Sequence, residues 1–363
     1  MTEPDQRVRR IADTVLLAAF AAALVLPAGG LLRARAPEQP AAESRTQGPP
    51  PTVIARLKTV AENHFGGRMA LVRAHSLVNL RWFHISPTPR VLVGSDGWLF
   101  YSDESEVECA RRSKPMSDAE LGAWLRALES RRALLASRGI RYLVLFAPDK
   151  HTLYPEYLPR SLQAGPGPSR LDQLIEAVRT RTQVQLLDLR PALQAGKASA
   201  DLYYHLDTHW NQRAALLAAQ QIGIALLRWY PALHPLELSD YAIDVAPAYP
   251  GDLISFAGLE RVVKEWHEEF TPRFASPAKV EILATSRYRV DVVRSTRPSA
   301  AIASALVLRD SFGTALVPFL AQYFRRAVHL WSYQIPLDKL DQEKPEVVIQ
   351  QIVERRLMAP PRE

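Results

Sequence analysis

The sequence predicts an α/β protein: a parallel sheet with flanking helices and an inserted accessory lobe, preceded by one N-terminal transmembrane helix. Three observations predict it. Apolar runs of strand length alternate with helical patterns from about residue 117 to 229; the alternation stops over about 231–299; it then resumes to the end of the chain. An apolar run of membrane-spanning length, Thr14 to Leu32, precedes all of this and follows Arg7, Arg9 and Arg10.

Taken in order, that run reads as a signal anchor over residues 1–35, broken only by Pro27 and Gly29-Gly30. A cleaved signal peptide is the alternative, because Ala34-Arg35-Ala36 has the small-x-small pattern. Residues 36–51 are rich in Pro, Gln, Ala and Ser, cannot bury much surface, and read as a flexible tether. The globular domain, 52–363, opens with helical patterns over about 52–83. Val91 to Gly94 and Trp98 to Tyr101 flank Asp96-Gly97 as a hairpin. Ser117 with Glu120 is a capping box for a helix that runs to about Ser137 and stops at Gly139. Tyr142 to Ala147 is a buried strand, 169–180 a helix, Val184 to Leu189 a strand, and 211–229 a long helix ending at Pro231. The Pro-rich turns and period-two stretches of 231–299, such as Tyr288 to Val292, read as an insertion. A strand to Leu308, a helix from about Thr314 to Phe324, and strands at Ala327 to Trp331 and Val347 to Ile352 complete the chain.

Composition narrows the function classes. At 363 residues, 47% hydrophobic and 23% charged, the chain can build a real core. Its 45 basic and 38 acidic side chains are spread along it, so the net charge of +7 marks no nucleic-acid footprint. Cys109 stands alone, which excludes an internal disulfide and a multi-cysteine metal site. There is no glycine-rich phosphate cradle or nucleotide fingerprint, and no cofactor is expected.

Chemistry concentrates in Tyr204 to Asn211, where His205, Asp207 and His209 fall within five residues just before a helix. A carboxylate that fixes an imidazole's tautomer makes it a general base, and such a base activates a serine. The candidate serine is Ser311, in Arg309-Asp310-Ser311-Phe312-Gly313, where a strand breaks into a polar turn and a helix. In an open parallel sheet both connections can reach the rim beyond the carboxyl ends of the strands. Plainer readings exist for each residue: Asp310 or Ser311 as an N-cap, Asp207 as a cap of the helix from Asn211, Trp210 as core. His205, Asp207 and His209 could also be three metal ligands on an extended segment, although the other histidines show no ligand spacing.

These two stretches together resemble the alginate O-acetyltransferase family of permuted SGNH-hydrolase-like proteins, in which an Asp-x-His-Trp motif precedes the serine. Val93 to Tyr101 resembles its Gly-x-x-Gly-Trp-Leu-Phe segment, Pro148-Asp149-Lys150 with Tyr154-Pro155 its Pro-Asp-Lys segment, and Glu354-Arg355-Arg356-Leu357 its Glu-Arg-x-Leu. The resemblance implies an SGNH-hydrolase-like, flavodoxin-like sheet with Asp207 orienting His209, His209 as base and Ser311 as nucleophile. Arg309 departs from the family's Gly-Asp-Ser turn. The Ser311 amide is the natural first oxyanion donor, and no second one is named. The implied activity is O-acetyl transfer through a serine ester to hydroxyls of an exported polysaccharide, with a polytopic membrane O-acyltransferase as acetyl donor. The implied location is the inner membrane, single-pass, with the catalytic domain in the periplasm. A polysaccharide acetylesterase with the same triad and a non-catalytic carbohydrate-binding assembly subunit are the alternatives.

Overall fold

The structure is a computed structural model that describes residues 68–249, 251–286 and 289–361. The expected anchor, the tether and the first part of the helical stretch, 52–67, lie outside the described residues. Among those described, no helix is long and apolar enough to cross a membrane. The chain divides into two units, the first ending at Phe83 and the second beginning at His84. The first contributes helix α1, Arg68–Val78, which runs on into a π-helical turn, Asn79–Phe83.

The second unit begins with an antiparallel hairpin, β1 (Val91–Val93) and β2 (Leu99–Tyr101), with Leu92 opposite Phe100. Asp96 and Gly97 take positive φ in its turn, the twist that a tight hairpin needs. Helices α2 (Glu104–Arg111) and α3 (Asp118–Ala136) follow, the latter started by the Ser117–Glu120 capping box. Next come β3 (Arg141–Ala147), α4 (Lys150–Leu153), α5 (Arg170–Arg181), β4 (Gln185–Asp188), α6 (Arg190–Gly196) and α7 (Gln212–Leu226). The stretch 231–299 holds β5 (Tyr241–Tyr249), α8 (Asp252–Phe256), β6 (Glu265–Pro272), β7 (Lys279–Ser286) and β8 (Arg289–Thr296). The chain ends with β9 (Ile302–Arg309), α9 (Phe312–Leu320), β10 (Phe324–Trp331), α10 (Leu337–Glu343) and β11 (Val347–Val353).

Among the described residues, seven strands form the main sheet in the order β4-β3-β11-β9-β10-β8-β7, and the first five run parallel. Both faces are covered. Leu143, Leu145, Val307 and Ile349 point to one face and pack with α7 and α9, whereas Val144, Phe146, Leu306 and Val348 point to the other and pack with α3 and α5. This double burial explains why these strands read as continuous apolar runs.

Two expectations are corrected. The sheet is not wholly parallel: β8 pairs antiparallel with β10, and β7 pairs antiparallel with β8 as the outer strand. The period-two stretch beyond Tyr288 therefore extends the main sheet, partly buried along β8 and exposed along all of β7, whereas β5 and β6 of the same region form a separate two-stranded ribbon. Phe324 opens β10 instead of closing a helix. The helix contains Pro318 and ends at Leu320, and a 3-10 turn over Ala321–Tyr323 makes the join.

Candidate active site

Four connections meet beyond the carboxyl ends of the parallel strands: those after β3, β9 and β11, and the long one from β4 to α7. The last contains Tyr204 to Asn211. A bridge between Tyr203 and Trp210, and the Asn211 amide donating to Leu202 O at 2.9 Å, pinch it into a closed loop. Its middle residues form no ladder with one another, so side chains and neighbouring backbone satisfy their polar groups.

Asp207 is buried at the centre of this loop. Its Oδ1 accepts from the His209 amide and from His209 Nδ1, each at 2.7 Å, and its Oδ2 accepts from the Asp252 amide at 2.8 Å. Burial raises the Asp207 carboxyl, but the hydrogen bond and charge of His209 and the backbone donors outweigh it and hold it below the usual range. His209 is the converse case. Burial lowers its pKa, while the hydrogen bond and charge of Asp207, then the charge of Asp252, raise it above the ordinary histidine value. With Nδ1 committed to Asp207, Nε2 is left as the proton acceptor. The ring is 26% exposed, yet Nε2 itself is covered and has no hydrogen-bond partner among the described residues.

Asp252 reaches the loop from α8. Its Oδ1 accepts from the Thr208 amide at 2.8 Å and its Oδ2 from the Thr208 hydroxyl at 2.6 Å, and Oδ2 lies 3.8 Å from His209 Nδ1. Burial and the charge of Asp207 raise the Asp252 carboxyl. Among the described residues, Asp207, His209 and Asp252 offer ligand atoms within 4.8 Å of one another. The metal set suggested by spacing does not form: His205 turns away, pairing with Asp201 at 2.9 Å and resting on Trp98 with ring centroids 4.2 Å apart.

Ser311 lies in the turn between β9 and α9. Its side chain makes no capping hydrogen bond, so the plain N-cap reading does not describe it. The turn is held by Asp310, whose Oδ1 accepts from the Phe312 amide at 3.0 Å and Gln351 Nε2 at 2.9 Å, and whose Oδ2 accepts from the Val353 amide at 2.7 Å. Arg309 is fully buried, donating to Thr314 Oγ1 at 3.0 Å and Val290 O at 2.8 Å. The small residue this crowding demands is Gly313, where a Cβ would overlap that of Arg309.

The structure thus joins Asp207 to His209 directly and ties Phe312, the residue after Ser311, to the same motif. The Trp210 indole donates to Phe312 O at 2.9 Å, and the Phe312 and His209 ring centroids are 4.9 Å apart. Ser311 Oγ and His209 Nε2 are not hydrogen-bonded. Trp210 is therefore the strut between the two motifs as well as core.

Two further segments brace the site. Lys150 is buried and donates to Leu99 O at 2.5 Å, His205 O at 2.9 Å and Asp207 O at 3.1 Å, tying the hairpin to the loop; burial pushes its ammonium down to about 7. Arg355 pairs with Asp149 and Glu106, each at 2.6 Å, and lies 5.5 Å from the Phe312 ring centroid. The Glu354 carboxyl accepts from the Asp149 amide at 2.9 Å, and burial raises it to about 7. Sequence reasoning did not find Asp252 or Thr208. Tyr249-Pro250-Gly251 signals only a turn, and no spacing ties Asp252 to a motif 45 residues away.

A family model described as "SGNH hydrolase-like domain, acetyltransferase AlgX" matches residues 91–290, a segment that contains Asp207, His209 and Asp252 and stops short of Ser311. The "Probable alginate O-acetylase AlgJ" of Pseudomonas syringae pv. tomato is 32% identical over 177 residues, covering 47% of this chain and 42% of that protein. Its namesake in Pseudomonas aeruginosa is 25% identical over 264 residues, covering 72% and 64%. Both matches span less than two thirds of the relative. Among solved structures, Bacillus cereus PatB1 superposes with a TM-score of 0.55 at 18% identity, covering 74% of this chain and 96% of that one. A DHHW family protein from Eubacterium siraeum does so at 0.54 and 16%, covering 75% and 93%. These two share the fold.

Proposed function

The chain belongs to the family of SGNH hydrolase-like domains described for the acetyltransferase AlgX, and on that premise we propose that it is a polysaccharide O-acetyltransferase working through a serine acyl-enzyme. The observation that carries the reading is the His209 ring: Nδ1 is held at 2.7 Å by Asp207, Nε2 has no hydrogen-bond partner among the described residues, and the ring centroid lies 4.9 Å from that of Phe312, the residue after Ser311. In the first half-reaction Nε2 takes the Ser311 proton as Oγ attacks the acetyl carbonyl. The tetrahedral intermediate collapses, the donor's leaving group departs with the proton from His209, and acetyl-Ser311 remains. An acceptor hydroxyl then gives its proton to Nε2 and attacks the ester, and Ser311 recovers a proton as it leaves. The Ser311 amide is the first donor to the oxyanion in both halves. The bond from Oγ to Nε2 is not made here, and such bonds often tighten only when substrate is seated.

The names of the AlgJ relatives support a polysaccharide as acceptor. The apolar run Thr14 to Leu32 supports a single-pass inner-membrane protein with its catalytic domain in the periplasm, supplied with acetyl groups by a polytopic membrane O-acyltransferase. Holding donor, enzyme and exported polymer at one surface raises effective concentration and favours transfer over hydrolysis.

The test supplies a small acetyl ester and deacetylated oligosaccharides of the host polymer, and follows acetylated oligosaccharide and free acetate. Wild-type protein should form the first faster than the second, and folded Ser311→Ala should form neither. Acetate alone, with deacetylation of the native polymer, makes the chain an esterase. Binding without turnover makes it an assembly subunit, and wild-type turnover by Ser311→Ala removes Ser311 from the mechanism.

A further inference from the structure

The stretch 231–299 does more than decorate the sheet. Its acidic groups satisfy three consecutive-region amides of the catalytic loop: Glu265 accepts from the His205 amide at 2.8 Å and the Leu206 amide at 2.7 Å, and Asp252 accepts from the Thr208 amide at 2.8 Å. The Ile254 amide donates to Leu206 O at 3.2 Å. Gly251 lies so close to the loop that a Cβ would overlap the Leu206 carbonyl, which a residue without a side chain avoids. Asp207 and Asp252 are reciprocal partners, since each carboxylate accepts a backbone amide from the other's segment.

We infer that Asp252 is a positioning residue for the acyl-transfer reaction: it locks Thr208 and, with Asp207, fixes the plane of His209 while placing a second negative charge beside Nδ1. The inference rests on the acyl-transfer reading above. Its geometry is specific. Thr208 Oγ1 is 3.2 Å from His209 Nδ1 and donates to Asp252 Oδ2 at 2.6 Å, so the hydroxyl is oriented away from the imidazole and Nδ1–H is left to Asp207. Asp252 Oδ2 then lies 3.8 Å from Nδ1, close enough to stabilise the imidazolium that forms in each half-reaction.

The charges around the pair are few. His209 is faced by Asp207 and Asp252, and by Arg355 from the segment after β11, which opposes them. Asp252 is faced by Asp207 and His209, and it also acts on Glu106 and Lys150. Neutralising Asp252 removes one of the two negative charges at Nδ1 and leaves Asp207 in place.

The experiment uses the full chain in detergent and pairs two readouts. Proton NMR follows the titration of the histidine rings, with His209 assigned by a His209→Gln variant, and a chromogenic acetyl ester reports turnover. In Asp252→Asn the His209 titration should move to lower pH, and kcat should fall by up to about a hundredfold with little change in KM. An unchanged His209 titration in folded Asp252→Asn overturns the inference whatever the turnover. If Asp252→Asn does not fold, Thr208→Val, which keeps the charge and cuts the tie, must lower kcat, and an unchanged kcat overturns the inference. Should Ser311→Ala turn over like the wild type, the acyl-enzyme reading falls instead, and the His209 titration still decides on Asp252.

Discussion

On the proposed mechanism, His209 sets the pH dependence of the site. As a general base it must be neutral, so turnover should rise with pH as the ring loses its proton. Because its partners raise that pKa above the ordinary value, the acid limb should lie on the alkaline side of a free histidine's. The same raised pKa contributes stability that is complete below the unfolded value and disappears as pH rises through the folded one. Asp207→Asn should leave ester binding intact, lower kcat by roughly a thousandfold or more through the wrong tautomer, and move the acid limb to lower pH. Steady-state kinetics across pH would check this, and loss of wild-type activity to a chelator with recovery on added zinc would instead support the metal reading. Asp207, His209 and Ser311 could be picked out in the sequence because a carboxylate two residues from an imidazole and a serine after a strand are local patterns. Asp252 could not, because its role arises only when the turn at Gly251 folds back on Leu206.

Among the elements, α4 carries a disproportionate share of the bracing, though it is a single turn over Lys150–Leu153. One ammonium serves three carbonyls that belong to the hairpin and to both sides of the catalytic loop. Lys150→Met should remove the donor these carbonyls share, leaving His205 O with the Leu99 amide, and cost roughly 3 kcal/mol. Urea unfolding should show the loss, and activity should fall with it, whereas Ser311→Ala should leave the unfolding midpoint in place. The hairpin, the capped helices and the buried strands were legible because their turn residues, capping boxes and apolar periods act locally. The junction at Phe324 was not: Gln322 and Arg325-Arg326 flank it, but no glycine or proline falls between Phe319 and Leu330, and tertiary packing decides where helix yields to strand. Strands β7 and β8 were read as a separate lobe because their alternation suits a half-wet edge, and nothing local says whose edge it is.

For the molecule as a whole, the parallel core was readable in outline, since two covered faces demand continuous apolar strands. The strand order was not, because β11, last in sequence, inserts between β3 and β9. The proposed membrane attachment is also a whole-chain property. Full-length protein should float with phospholipid vesicles in a density gradient, protein lacking residues 1–35 should stay at the bottom, and both should cleave a soluble acetyl ester at similar rates. Flotation of the truncated protein would place the attachment elsewhere. The outer strand has another consequence. All eight residues of β7 are exposed, among them Val280, Ile282 and Leu283, and a straight edge of that kind invites a neighbouring copy to add its own strand. Here the pairing register shifts twice around Ala284, and Lys279 and Glu281 put charge on the strand. Crowded at a surface, many copies of such a protein meet edge to edge repeatedly, and a bent, charged border gives them no regular ladder along which to polymerise.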